Sequence, residues 1–159
     1  MAELKPGDKA PAFSLEADDG ETVSLKSYKG QKLVLYFYPR DDTPGCTRQA
    51  IGFTEHLKEF QDAGAAVLGI SKDTVAKHQK FRAKHNLEID LASDPEGEVI
   101  EKYGAWVLKK NYGREYMGIE RSTFLIDEKG IIREIWRKVR VPGHIDKVLD
   151  RVRDRVRDD

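Results

Sequence analysis

The only cysteine among the 159 residues, Cys46, lies in the run YPRDDTPGCT, Tyr38 to Thr47. Thr43 is a favoured helix N-cap, Pro44 suits the first helical position, and Gly45 lets another group come close. Cys46 then falls at the third position of a helix. There the unpaired backbone N–H groups and the positive end of the helix dipole favour thiolate over thiol. Away from such a place, a cysteine on an apolar helix face is a small buried hydrophobe. Here cap, proline and glycine together point to a nucleophile.

Several thiolate chemistries lack their partners. A dithiol oxidoreductase needs C-x-x-C, and the sequence continues Thr47-Arg48-Gln49. A cysteine hydrolase needs a histidine beside the sulfur, but His56 lies ten residues along the same helix, roughly 15 Å away. His78, His85 and His144 sit in charge-rich stretches and are expected at the solvated surface. A metal site would need a second soft ligand at suitable spacing, and none is present, so neither metal nor cofactor is expected. Peroxide reduction asks for less: donors and a cation to receive the charge on the departing oxygen, and no base. The Thr43 hydroxyl and the N–H groups of Gly45 and Cys46 supply donors. The cation must come from elsewhere in the chain.

The elements that would hold this turn can be read from periodicity. LVLYFY within Lys32 to Tyr38 is apolar without alternation, a strand buried on both faces and ended by Pro39. From Pro44 to about Asp62, Cys46, Ala50, Phe53, Leu57 and Phe60 mark one helical face. Ala65 to Ser71 is a second buried strand, and Asp73 is expected to cap a helix through Asn86 with Val75, Phe81 and Leu87 near its buried side. Ile89 to Asp94 is a short strand, Pro95 to Tyr103 a short helix, and Gly104 to Glu120, without a sustained period, mostly loop. Trp106, Tyr112, Tyr116 and Met117 in that segment are read as covering the core first, ahead of lining a substrate mouth or making a dimer contact. Near the start, stretches around Phe13 to Leu15 and Thr22 to Ser24 flank a turn at Asp18-Asp19-Gly20. Ser122 to Asp127 and Ile131 to Trp136 form a hairpin closed at Gly130. A last helix from Pro142 or His144 carries Ile145, Val148, Leu149, Val152 and Val156 on one stripe. This order predicts an α/β protein with a mixed central sheet flanked by helices and an N-terminal hairpin, in a thioredoxin-like arrangement.

Composition narrows the setting. Lys plus Arg and Asp plus Glu are both 28, so no net charge draws the chain to nucleic acid or membrane. One cysteine excludes an intrachain disulfide framework and favours a reducing, cytoplasmic compartment. No apolar run approaches the length of a membrane span or a secretory leader. Neither repeat nor linker divides the chain, so residues 1–159 are expected to form one domain.

The run PRDDTPGC, with Pro39, Thr43 and Cys46 in register, resembles the P-x-x-x-T-x-x-C signature of peroxiredoxins. LYFYPRDDTPGCTRQA, GDKAPAFSL, YGAW, GIERSTFLID and VPGHIDKVL are similar to the Q subgroup, also called the bacterioferritin comigratory protein family. The resemblance runs from about Lys5 to Leu149 and implies a thioredoxin fold and peroxidase activity. It further implies that Cys46 is the peroxidatic nucleophile, Thr43 orients peroxide, Pro39 shields the pocket and Arg121 is the cation. Thr43, Gly45, Cys46, Arg121 and Gln49 would contact substrate, and Arg48 would be a surface charge.

Two positions depart from the pattern. Gln49 replaces the glutamate common in the subgroup, and Ile51 stands where many relatives carry a resolving cysteine. The resemblance therefore implies a one-cysteine cycle. Hydrogen peroxide or a small alkyl hydroperoxide would oxidise Cys46, and an external thiol such as thioredoxin, glutaredoxin or a low-molecular-weight thiol would restore it. A non-catalytic redox sensor or interaction module of the same fold is the alternative. A monomer or weak homodimer is expected.

Overall fold

A computed structural model of the chain describes residues 3–153. At its centre lies β3 (Lys32–Phe37), every residue of which is buried. Successive side chains of a strand point to opposite faces, so Leu33, Leu35 and Phe37 enter one apolar cluster while Val34, Tyr36 and the following Tyr38 enter another. β3 runs parallel to β4 (Ala65–Ser71), which runs parallel to β5 (Asp90–Ser93). On its other side β3 pairs antiparallel with β8 (Ser122–Ile126), and β8 with β9 (Ile132–Trp136). β1 (Ser14–Ala17) pairs antiparallel with β5 and with β2 (Thr22–Ser24), completing the order β2-β1-β5-β4-β3-β8-β9.

The two sheet faces are covered differently. α1 (Pro44–Glu55), α2 (Leu57–Asp62), α3 (Val75–His85) and α5 (His144–Arg153) send Cys46, Ala50, Phe53, Phe60, Phe81, Val148, Leu149 and Val152 into one cluster. The short α4 (Glu98–Lys102), a 3-10 turn at Leu25–Tyr28, and Ala10 and Phe13 cover the other. The mixed sheet, the N-terminal hairpin and the helical layers match the expected α/β architecture. The last helix starts at His144, and its Val156 lies outside the described residues.

Several local expectations are corrected. The helix after Cys46 breaks at His56, which takes φ −102 and ψ 6 and ends α1 while starting α2. Thr74, not Asp73, caps α3, its side chain accepting from the Lys77 N–H. Asp73 instead receives the Asp41 N–H and the Ser71 hydroxyl. His78 and His144 are buried, not solvated; only His56 and His85 keep part of their surface in water.

The segment expected to be mostly loop is a two-stranded sheet, β6 (Trp106–Asn111) and β7 (Arg114–Ile119), turned by Tyr112 and Gly113 at positive φ. Both of its faces are largely exposed, so no apolar alternation betrays it. Tyr112, Tyr116 and Met117 are exposed instead of covering the core, whereas Trp106 packs against one cluster with the Lys72 ammonium 4.6 Å from its ring centre.

One glycine of the sheet is held by packing. A Cβ on Gly69 would lie 2.7 Å from the Tyr36 ring, so β4 must lack a side chain where that ring crosses it. Gly69→Ala is expected to lower stability by about 2 kcal/mol through overpacking. Tyr36→Phe should be neutral or stabilising, because the buried hydroxyl has no hydrogen-bond partner among the described residues. Urea midpoints of the two variants check this, and an unchanged midpoint for Gly69→Ala would refute the contact.

Candidate active site

β3 ends against Pro39, and the chain turns through Arg40 to Asp42 before α1 begins. Thr43 takes the extended N-cap conformation with φ −89 and ψ 154, and its carbonyl accepts the Thr47 N–H at 2.8 Å. Its hydroxyl does not cap the helix; it donates to the Arg40 carbonyl at 3.0 Å, bracing the turn. Pro44 is the first helical residue and Cys46 the third, as the spacing predicts. The thiol is 1% exposed.

Arg121 reaches this turn from the residue before β8. Ser122 pairs with Phe37, so the start of β8 and the end of β3 meet at the same end of the sheet. The guanidinium Nη2 donates to Cys46 Sγ at 3.3 Å, and Nη1 donates to Gln49 Oε1 at 2.7 Å. Cys46 and Gln49 are three apart on α1 and share a face, which suits the fixed fork of an arginine. Gly45 makes room: a Cβ there would stand 3.1 Å from Nη2. The close approach that the sequence allowed at Gly45 is thus made by Arg121.

These contacts set hydrogen-bond donors against the sulfur. A fixed guanidinium and the N-terminal turn of a helix both stabilise an anion in a site with little water. Gln49 is fully buried, and its amide nitrogen has no partner among the described residues. Pro39 is exposed and lines a groove of about 490 Å³ together with Arg121, Leu108, Tyr116, Lys138 and Val139. The groove opens on the guanidinium. Arg48 faces solvent, and Ile51 packs at the margin of the helix-side cluster. No group of three or more His, Cys, Asp or Glu able to hold a metal occurs among the described residues.

Sequence reasoning missed the groups packed around the site. The turn is tied to α3 by Asp42, at φ 62, whose carboxylate takes Lys84 Nζ at 2.7 Å and His85 Nε2 at 2.9 Å. These bonds, from His85 first and then Lys84, hold the Asp42 carboxyl below its usual range. Asp41 bonds with Tyr38 and His78 inside the protein. On the other flank Thr123 Oγ1 and His144 Nε2 are 2.8 Å apart. The charged character of DDTPGC gave a signal for the turn, but nothing in the local pattern marked His78 or His144 as interior.

A family model described as the AhpC/TSA family matches residues 6–135. Peroxiredoxin Bcp of Bacillus subtilis is 49% identical over 146 residues, covering 92% of this chain and 93% of the relative. Peroxiredoxin Bcp of Escherichia coli K12 is 44% identical over 149 residues, covering 94% and 96%. A solved mutant of Xylella fastidiosa peroxiredoxin Q has a TM-score of 0.92 at 35% identity, covering 98% of this chain and 99% of that one. A solved Xanthomonas campestris bacterioferritin comigratory protein, studied for alkyl peroxide reduction, has a TM-score of 0.84 at 40% identity, covering 88% and 89%.

His144 gives the site's surroundings a pH dependence. Burial first, then the nearby Lys147 and Arg121 charges, push its pKa down from the ordinary 6.5 to about 4. The unfolded chain binds this proton more readily, so stability is full above about pH 6.5 and falls as pH drops toward 4. This one group is expected to remove about 2 kcal/mol between pH 7.5 and pH 5. Urea unfolding at both pH values, compared with His144→Gln, measures it. Equal pH losses in parent and variant would rule it out.

Proposed function

Because the chain belongs to the AhpC/TSA family and is a thiol-dependent peroxidase of the Bcp and peroxiredoxin Q type, we propose that Cys46 is the residue that reacts with peroxide. The observation that supports this most is the Arg121 guanidinium, 3.3 Å from the one sulfur able to form a sulfenic acid.

In this reading the Cys46 thiolate attacks one oxygen of the hydroperoxide. An S–O bond forms as the O–O bond breaks, and the electron pair leaves with the departing alkoxide or hydroxide. That oxygen takes up a proton and departs as alcohol or water. Thr43 orients the peroxide, the N–H groups of Gly45 and Cys46 donate to it, and Arg121 stabilises charge on the breaking bond. Gln49 holds the guanidinium through Oε1, and Pro39 borders the approach.

An external thiol then attacks the sulfenic sulfur, forming a mixed disulfide and water. A second thiol releases Cys46 and leaves as the disulfide. Ile51 rules out an internal partner at that position. Hydrogen peroxide and small alkyl hydroperoxides are the proposed substrates. Thioredoxin, glutaredoxin or a low-molecular-weight thiol is the proposed reductant, in the cytoplasm, with the chain working as one domain and as a monomer or weak homodimer. The sensor alternative is not favoured, because the relatives are peroxiredoxins by name.

Two outcomes are expected. Cys46→Ser should abolish peroxide consumption with dithiothreitol or thioredoxin as reductant, and Arg121→Gln should lower kcat/KM by about 100-fold, as for loss of a charge-stabilising donor. Full turnover by Cys46→Ser would refute the assignment. With no internal thiol to trap it, the sulfenic acid is expected to oxidise onward to sulfinic acid under excess peroxide. Mass spectrometry of Cys46 reads this directly, and Ile51→Cys should divert the product toward an intramolecular disulfide.

A further inference from the structure

The Asp41–His78 pair lies beneath the catalytic turn and takes no part in the chemistry above. His78 is 0% exposed on α3, and Asp41 is 9% exposed in the turn between β3 and α1. His78 Nδ1 lies 2.6 Å from Asp41 Oδ2, and Nε2 lies 2.9 Å from the Ala92 carbonyl oxygen on β5. A carbonyl only accepts, so Nε2 carries a hydrogen. The short contact at Nδ1 needs a second hydrogen, shared between imidazole and carboxyl.

The remaining atoms of Asp41 are also engaged. Oδ1 accepts the Tyr38 hydroxyl at 2.5 Å, and the backbone N–H donates to Asp73 Oδ2 at 2.8 Å. One residue therefore joins the end of β3, the β4–α3 connection and α3. Two residues further on stands Thr43, and five residues on stands Cys46. Asp42, at positive φ, is fastened to the C-terminal end of the same helix by Lys84 and His85. α3 thus grips the turn at two points, and His78 is the buried one.

We propose that His78 is a positioning residue for the peroxide reaction: bonded to Asp41 and to the Ala92 carbonyl, it fixes the turn that places Thr43 and the first N–H groups of α1 around the sulfur. This rests on the reading of Cys46 as the peroxide-reactive residue. The turn leads straight into Thr43, the N-cap of the helix that carries Cys46, and a displacement of about 1 Å at a reacting centre can cost about 100-fold in rate.

Three variants and a blank test it. His78→Phe removes both bonds and leaves the Asp41 carboxylate buried opposite an apolar ring. Its second-order rate with hydrogen peroxide, read by stopped-flow tryptophan fluorescence, is expected to fall at least tenfold, about the scale of a misplaced reacting group. Alkylation of Cys46 by iodoacetamide needs a thiolate and access but no oriented peroxide, so its rate should hold or rise while the peroxide rate falls. Asp41→Asn keeps every contact: its oxygen accepts from Tyr38 and its N–H donates to Nδ1, with no proton to share. It should therefore react with peroxide close to the parent rate.

His78→Gln, whose amide reaches one of the two partners, should be intermediate, and it keeps the test open where the phenylalanine variant does not fold. A parental peroxide rate in a folded His78 variant overturns the proposal. So does an alkylation rate that falls in step with the peroxide rate, which marks a lost thiolate instead of a misplaced peroxide site. An Asp41→Asn loss equal to that of His78→Phe also overturns it, by assigning the effect to the shared proton. Turnover by Cys46→Ser would instead sink the reading of Cys46 itself.

Discussion

The fork of Arg121 sets the geometry of everything around the sulfur. Its two terminal nitrogens reach Cys46 Sγ at 3.3 Å and Gln49 Oε1 at 2.7 Å, two groups one helical turn apart. Only a helix that has already started by residue 43 brings positions 46 and 49 onto one face, so the N-cap and Pro44 are conditions of the contact. Gly45 is another, since a side chain there would meet the guanidinium. The antiparallel pairing of β8 with β3 supplies the last, because it puts Arg121 where β3 hands the chain to α1.

The two cores divide their labour along β3. Leu33, Leu35 and Phe37 face a cluster that includes Val99, Ile100, Tyr103 and Phe124. Val34, Tyr36 and Tyr38 face the helices, and there the interior also holds Gln49, His78, Thr123 and His144. Buried polar groups cost stability unless paired, roughly 1–3 kcal/mol for each one left without a partner. Among the described residues most of these are paired, and the Tyr36 hydroxyl and the Gln49 amide nitrogen are not. The polar side of the protein is therefore the less forgiving side to pack and the side on which the thiol stands.

How much of this could be read in the sequence follows from which signals are local. The cap, Pro44, Gly45 and Cys46 act within one turn, so their order alone placed the thiol at the third helical residue. Strands β3 and β4 were legible because both faces are buried and their residues are continuously apolar. The β6–β7 hairpin was not, because both its faces meet water and its turn places a tyrosine, Tyr112, at φ 52 where glycine or asparagine would have announced it. His78 was misread for a different reason. A histidine between lysines looks solvated, and the carboxylate and carbonyl that receive it lie 37 residues before and 14 after. Partners that distant leave no periodicity. Arg121 was reachable only through resemblance, since no spacing rule links it to Cys46 across 75 residues.

In the proposed cycle, the enclosure of the sulfur sets the two half-reactions of Cys46 against each other. Oxidation needs the thiolate held among donors, and a peroxide brings only one oxygen to it. Reduction needs a second sulfur to reach a bond length of about 2.05 Å from the first, with its own carbon behind it. Cys46 is 1% exposed, and the groove beside Pro39 is lined by Arg121 and not by Cys46. With Ile51 packed at the edge of the core, α1 supplies no thiol of its own at that position. The structure as it stands is therefore arranged for the first step, and the second requires the opening turn of α1 to yield. What resists that yielding is the same set of bonds that fixes the turn, from Asp41 and Asp42 to α3. On the proposed reading, tightening them would favour attack on peroxide and slow access by the external thiol, which sets the grip of α3 on this turn between the two halves of the cycle.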